Sequence, residues 1–153
     1  SWIIASALAI MGMLIYLGDK WATHHYKREK KFEDITLKEA IIIGVSQAFA
    51  VIPGFSRSGT TILAGRLQGI SKEAITKFTF LLSVPVICGA TVLKVTDLAL
   101  TKEVIVGIIS SFAMGIIAIK FLLNYIKKHD FSVFAFYMVI LALVVFVKLI
   151  FFK

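Results

Sequence analysis

Apolar residues in this chain occur in long stretches with almost no charge, and short polar segments separate them. A helix needs about 20 mostly apolar residues to cross the hydrocarbon core of a bilayer. Four stretches approach or exceed this length, at residues 1–18, 74–96, 104–126 and 133–152. The alternative is a soluble protein with buried helices, but such a protein carries more polar residues than this one. The pattern therefore predicts an all-α integral membrane protein with four transmembrane helices.

Composition agrees with a membrane protein. Of the 153 residues, 59% are hydrophobic and 17% are charged, and the mean hydropathy is +0.91. The net charge of +8 would suggest nucleic acid as the partner of a soluble protein. Here the positive residues gather in the connecting segments, where topology and anionic lipid headgroups explain them. We therefore predict a membrane environment and no nucleic-acid partner.

Residues 19–39 form the one extended polar segment, with six Lys/Arg and five Asp/Glu. Its positive residues predict a cytoplasmic loop. His24 and His25 lie in this loop and raise the possibility of a metal site. However, adjacent helical residues point about 100° apart and no third ligand stands out. We interpret the two histidines as solvated loop residues.

The segment 40–70 consists of two short apolar pieces, 40–52 and 61–70, on either side of a polar run. Pro53 and Gly54 end the first piece, because proline breaks the helical ladder and glycine permits a turn. Neither piece can span about 30 Å alone. Two shapes remain: a single broken spanning helix, or a re-entrant hairpin that enters and leaves on one side.

The distribution of Lys and Arg favours the re-entrant hairpin. With a hairpin at 40–70, Arg66, Lys72 and Lys77 return to the cytoplasmic side together with the pair at 127–128. With a single crossing, the pair at 127–128 would lie outside. We expect Arg66→Ala to have a mild effect on activity, whereas Arg57→Ala should abolish it.

The polar run at 53–61 contains the candidate chemistry of the chain. An arginine and several hydroxyls are costly at membrane depth and need a functional or topological reason. Irregular backbone is tolerated there only when it is buried in protein or lines a water-filled cavity. Hydroxyls, flexible glycines, a helix N-terminus and one arginine together predict an anion site, with phosphate as the anion. The residues concerned are Gly54, Ser56, Arg57, Ser58, Gly59, Thr60 and Thr61.

A purely structural interpretation of this run also exists. Ser and Thr could cap a half-helix while Arg57 pairs with a buried acid or a carbonyl, although the apolar segments contain no carboxylate. Two known phosphate classes are excluded. The nucleotide P-loop pattern is missing, and residues 56–125 contain no histidine for a phosphohistidine mechanism.

The run and its surroundings resemble the undecaprenyl-diphosphate phosphatase (bacitracin-resistance) family, and the chain is similar to the C-terminal half of that family. The resemblance implies one repeat of an inverted-repeat fold, with a re-entrant hairpin in each repeat. It also implies a multi-pass protein of the bacterial plasma (inner) membrane. The matching residues are 44–47, 53–61, 78–85 and 89–90.

The resemblance implies the hydrolysis of undecaprenyl diphosphate to the monophosphate, which recycles the lipid carrier of cell-wall synthesis. Arg57, Ser56 and Ser58 would be catalytic: Arg57 would neutralise charge on the phosphoryl group, and the serines would donate hydrogen bonds. Gln47 would be this repeat's counterpart of a glutamate in the other hairpin. Mg²⁺ or Ca²⁺ is implied as cofactor. The remaining residues expected to bind substrate are Gly54, Gly59, Thr60 and Thr61.

The chain departs from the family in lacking the glutamate-rich motif and histidine of the N-terminal repeat. No Glu, Asp or His lies between Ala40 and Lys72, so nothing there activates a nucleophile or holds a metal. We therefore expect a piece of a longer protein, or a chain that pairs with an N-terminal half or a second copy. The alternatives are a non-enzymatic half-transporter or lipid-diphosphate-binding module, and a structural membrane subunit without a ligand.

Overall fold

The computed structural model describes residues 2–94 and 101–151, and within these ranges the chain is helical, with no extended strand. Two short 3₁₀ turns, Phe32–Asp34 and Gln47–Val51, lie between the longer helices. The α-helices are α1 (Trp2–His25), α2 (Leu37–Ser46), α3 (Arg57–Leu67), α4 (Lys72–Lys94), α5 (Lys102–Ile126) and α6 (Ser132–Phe151).

Four of these helices, α1, α4, α5 and α6, are long and apolar enough to cross a membrane. In the described residues this confirms the prediction of an all-α chain with four helices that could span a membrane. The predicted span ends at residues 1, 95–96 and 152 lie outside the described residues. Helix α1 continues to His25 through the start of the segment that we predicted as a loop from residue 19. His24 and His25 are exposed, as expected, but they lie in the last helical turn rather than in a loop.

Helices α2 and α3 pack side by side and run antiparallel. The Ser46 hydroxyl at the end of α2 lies 3.5 Å from the Thr60 carbonyl in the first turn of α3. Nearer the start of α2, Ile43 is completely buried in a cluster that includes Ala64, near the end of α3. The polar run is therefore the turn of a helical hairpin. This geometry differs from a single helix whose two halves are stacked end to end.

The turn of the hairpin lies directly against α1. Gly54 has a φ of +101°, which favours glycine, and a Cβ there would lie 2.7 Å from the Ile4 carbonyl oxygen. At Gly59 a Cβ would approach the side chains of Met11 and Ile15 to 3.0–3.1 Å. The hairpin approaches α1 this closely because both positions lack a side chain.

A buried arginine holds the other end of the hairpin. The Arg66 side chain is 1% exposed, and its guanidinium group forms ion pairs of 2.7 Å with Asp19 and with Glu29. It also donates to the Ile70 carbonyl at 2.8 Å and to the Thr23 hydroxyl at 3.0 Å. The charge of Arg66 is therefore matched inside the protein by Asp19 from α1.

Lys72 extends this charged cluster to the turn between α5 and α6. Its ammonium group lies 3.6 Å from Asp19 and forms a second ion pair with Asp130. The hydrogen bond from Lys72 holds the pKa of Asp130 below its usual range. The cluster thus ties the ends of α1, α3 and α4 to the α5–α6 turn at one face of the molecule.

Glu39 joins the start of α2 to the polar segment. Its carboxylate accepts from the backbone N–H and the hydroxyl of Thr36, at 2.9 and 2.8 Å, and forms an ion pair with Lys30. Burial acts to raise the pKa of Glu39, but the hydrogen bonds from Lys30 and Thr36 outweigh it and lower the pKa. This carboxylate is therefore favoured in its charged form.

We expect Glu39→Gln to destabilise the fold by about 1 kcal/mol, because the charged hydrogen bond to Lys30 is lost. A lowered pKa gives stability above the pKa of the unfolded chain, and this is lost as the pH falls through the folded value. The difference from wild type should therefore shrink between about pH 7 and about pH 4. Thermal unfolding in detergent at both pH values measures it. Glu33→Gln, at an exposed acid nearby, is the control, and equal pH dependence in both variants would contradict the assignment.

Candidate anion site

The first turn of α3 brings the two predicted serines together. Ser56 is the N-cap residue, and its hydroxyl accepts from the Gly59 backbone N–H at 3.2 Å. The hydroxyls of Ser56 and Ser58 lie 3.2 Å apart. A helix N-terminus presents unpaired N–H groups and the positive end of the helix dipole. Two hydroxyls beside such a terminus are suited to binding the oxygens of an anion.

Arg57 is the first residue of α3 and stands between these serines in the sequence. Its side chain is half-buried, and no carboxylate in the described part of the chain forms an ion pair with it. The structural interpretation required a buried acid as the partner of Arg57. Among residues 2–94 and 101–151 no acid forms such a pair. The guanidinium charge remains available for an anion.

A cavity of about 400 Å³ opens beside the serines. The hydroxyl-bearing residues of its wall are Ser56 and Ser58 at the start of α3, Thr76 and Thr79 of α4 and Tyr137 of α6, and most of the remaining wall is apolar. A cavity with hydroxyls on one side and hydrocarbon on the other suits an amphiphile with an anionic head and an apolar tail. The apolar wall includes Leu8, Ile15, Ile62, Phe80, Leu122, Ile126, Phe131, Phe134, Met138 and Leu141.

The other predicted residues lie at different distances from this cavity. Gly59 lines it. Thr61 is fully buried between α3 and α4, while Thr60 faces α2. Gly54 lies in the turn against α1, and Gln47 begins the 3₁₀ turn after α2 and is not part of the cavity wall. Arg57 itself lies beside the cavity rather than in its wall.

Sequence reasoning did not identify Thr76, Thr79 or Tyr137, all of which line the cavity. Thr76 and Thr79 lie on one face of α4, one turn apart, and this spacing on an apolar helix is a weak signal in the sequence. Tyr137 comes from α6, and only the tertiary packing of α1 against α6 brings it to the site. We assign no chemical role to Tyr137.

No acid or metal ligand accompanies Arg57 in the described residues. Within them, no group of three His, Cys, Asp or Glu side chains is placed to hold a metal ion. The buried carboxylate of Asp19, which belongs to α1, lies beside Arg66 near the opposite end of α3, and Arg66 is roughly 14 Å from Arg57 along that helix. The residues present do not fit a Mg²⁺ or Ca²⁺ cage. This arrangement can bind an anion and stabilise its charge, and it contains no base for activating water.

The fold and the site define a multi-pass helical membrane protein with an arginine- and hydroxyl-bearing helix N-terminus beside an apolar cavity. Residues 1–144 match the family described as bacitracin resistance protein BacA. The chain therefore belongs to this family, which confirms the resemblance found in the sequence.

Curated relatives agree with the family match. The chain is 41% identical over 143 residues to the undecaprenyl-diphosphatase of Moorella thermoacetica, a match that covers 92% of this chain and 53% of the relative. It is 36% identical over 151 residues to the undecaprenyl-diphosphatase of Gemmatimonas aurantiaca, covering 96% and 55%. With that of Pelotomaculum thermopropionicum the identity is 39% over 148 residues, covering 95% and 54%. The chain thus spans about half the length of the curated relatives it matches.

Proposed function

We propose that this chain is the C-terminal part of a membrane phosphatase that hydrolyses undecaprenyl diphosphate to the monophosphate and so recycles the lipid carrier of cell-wall synthesis. The observation that carries the proposal is the placement of Ser56, Arg57 and Ser58 at the N-terminus of α3, beside a cavity with an apolar wall. The relatives named undecaprenyl-diphosphatase support the substrate class.

Each part of the site has a distinct role in this proposal. The Arg57 guanidinium binds two phosphate oxygens and offsets the charge that spreads over the phosphoryl group in the transition state. The hydroxyls of Ser56 and Ser58 and the free N–H groups of α3 donate to the remaining oxygens. The apolar wall of the cavity covers the first part of the polyprenyl tail.

The catalytic site is incomplete in this chain. Hydrolysis needs a group that activates water, commonly a base or a metal ion held by carboxylates, and the described residues place neither beside Arg57. We propose that an N-terminal half or a second copy supplies this group, together with ligands for Mg²⁺ or Ca²⁺. Gln47 then lies in this chain at the position that carries a glutamate in the other repeat.

The hairpin of α2 and α3 is proposed to be re-entrant. Helices of 10 and 11 residues extend only about 15–17 Å, which is too short for a core of about 30 Å. Their antiparallel packing returns the chain to the face from which it entered. The protein is then one repeat of an inverted-repeat fold in the bacterial inner membrane, with residues 26–36 on the cytoplasmic side.

A second candidate function is favoured by the lack of a base beside Arg57 in the described residues. A half-transporter or lipid-diphosphate-binding module would use the same anion site without turnover. An upstream segment with a glutamate-bearing hairpin in the parent gene would favour the enzyme. The lack of such a segment would favour the module.

The test measures phosphate release from undecaprenyl diphosphate in detergent. The chain is assayed alone, and then together with the N-terminal half of the Moorella thermoacetica relative. We expect little or no release by the chain alone and recovery when the N-terminal half is supplied. Full activity of the isolated chain would overturn the incomplete-site proposal. Tight lipid binding without turnover in both assays would favour the binding module.

A further inference from the structure

Thr79 differs from the other hydroxyl residues of α4 in its hydrogen bonding. The hydroxyls of Thr76, Ser83 and Thr91 bond to carbonyls of their own helix at 2.6–2.8 Å. This is the usual way in which an apolar helix satisfies such groups. The Thr79 hydroxyl instead lies 3.0 Å from the hydroxyl of Thr61 on α3. Of the four hydroxyls of α4, Thr79 alone therefore joins α4 to the helix that carries the anion site.

The direction of this hydrogen bond follows from the neighbours of Thr61. Its hydroxyl lies 3.0 Å from the Ser58 carbonyl and 3.3 Å from the Arg57 carbonyl. A hydroxyl has one proton and a carbonyl can only accept, so Thr61 donates to the backbone of α3. Thr79 then donates to Thr61. The result is a chain of hydrogen bonds from α4 to the carbonyls of the two residues at the centre of the site.

The opposite side of the same helical turn is held without polar groups. Gly59 packs against Met11 and Ile15 of α1 so closely that a Cβ would lie 3.0–3.1 Å from their side chains. Packing against α1 limits how near the turn can approach that helix. It does not fix how the turn is rotated about its own axis, whereas a directional hydrogen bond to α4 does.

We propose that Thr79 is a positioning residue: its hydroxyl, acting through Thr61, fixes the rotation of the first turn of α3 and thereby the aim of Arg57 and Ser58. This inference rests on the proposed function, since it assigns a role within the same site. Small errors in the aim of a phosphate-binding group reduce turnover strongly, because stabilisation of the transition state depends on alignment.

Hydrogen exchange in this chain tests the effect of the Thr79–Thr61 hydrogen bond independently of activity. We expect Thr79→Val, which keeps the shape of the side chain and removes the hydroxyl, to speed amide exchange at Gly59 and Thr60, whose N–H groups bond to Ser56, about fivefold. Thr79→Ser should restore the wild-type rate. Thr91→Val, at an exposed threonine of the same helix, is the matched control and should change nothing. If Thr79→Val leaves exchange at Gly59 and Thr60 unchanged, or speeds exchange in α6 to the same extent, the positioning role is overturned.

Turnover in the complemented enzyme provides the second measurement. We expect Thr79→Val to lower kcat about tenfold with KM within about twofold of wild type, and Thr79→Ser to rescue kcat. The losses from Thr61→Val and Thr79→Val should not multiply in the double variant. Wild-type kcat in Thr79→Val, or multiplying losses, would overturn the inference. A wild-type enzyme without turnover would instead overturn the proposed function, and the exchange experiment would still decide the role of Thr79.

Discussion

Replacing Arg57 by lysine is expected to lower kcat for phosphate release by the complemented enzyme by about a thousandfold or more. Lysine keeps the positive charge but loses the planar fork that binds two phosphate oxygens at once. Arg57 is half-buried at the N-terminus of α3, so solvent cannot reach the anion freely to replace the missing donors. A phosphate-release assay over a range of lipid concentrations separates kcat from KM.

Arg28→Lys is the matched control for this experiment. It makes the same chemical change at an arginine that is exposed in the segment after α1, and it should leave turnover within about twofold of wild type. Arg57→Ala should be at least as damaging as Arg57→Lys. If Arg28→Lys and Arg57→Lys lower kcat equally, Arg57 has no special role in turnover.

Replacing Arg66 by methionine is expected to cost about 3 kcal/mol of stability, because the buried carboxylate of Asp19 loses its 2.7 Å partner and keeps only the Lys72 ammonium group at 3.6 Å. Arg66 is 1% exposed and Asp19 5% exposed at their side chains, so water cannot compensate either group. Thermal unfolding in detergent measures the loss. The mild effect predicted from the sequence for Arg66→Ala concerns activity and stays a prediction.

Two further variants separate charge from packing in this cluster. Arg28→Met removes an exposed arginine and should shift stability by less than about 0.5 kcal/mol. Removing both partners, in Asp19→Leu with Arg66→Met, should cost less than Arg66→Met alone, because no unpaired buried charge remains. A double variant as unstable as the sum of its single variants would contradict the pairing.

The sequence predicted those parts of the fold that depend on local pattern. Four apolar segments of sufficient length predicted the four long helices, because the thickness of a bilayer sets the length of a spanning helix. Pro53 and Gly54 predicted a break because they interrupt the helical ladder. The second apolar piece was predicted at 61–70, whereas α3 already begins at Arg57, where the Ser56 hydroxyl caps it.

Features that depend on contacts distant in sequence could not be predicted in this way. The burial of Arg66 results from the meeting of α1 and α3, which places Asp19 beside it across 47 positions of the chain. The pattern of α4 shows Thr79 as one of several hydroxyls, and only packing distinguishes the one that reaches Thr61. The group that activates water could not be identified, since the described residues place none beside Arg57.

The contacts of the hairpin with α1 also set how deep its turn lies. The turn touches α1 at Ile4 through Gly54, while Arg66 pairs with Asp19, about 22 Å away along the axis of α1. If the proposed re-entrant arrangement places the Asp19–Arg66 pair at one boundary of a hydrocarbon core of about 30 Å, the turn would pass the midplane and lie nearer the opposite leaflet. Contacts with α1 would thus set the depth of the turn in the membrane. Under the proposed function, a substrate headgroup in that leaflet would then have to move inward by about 8 Å to reach the turn.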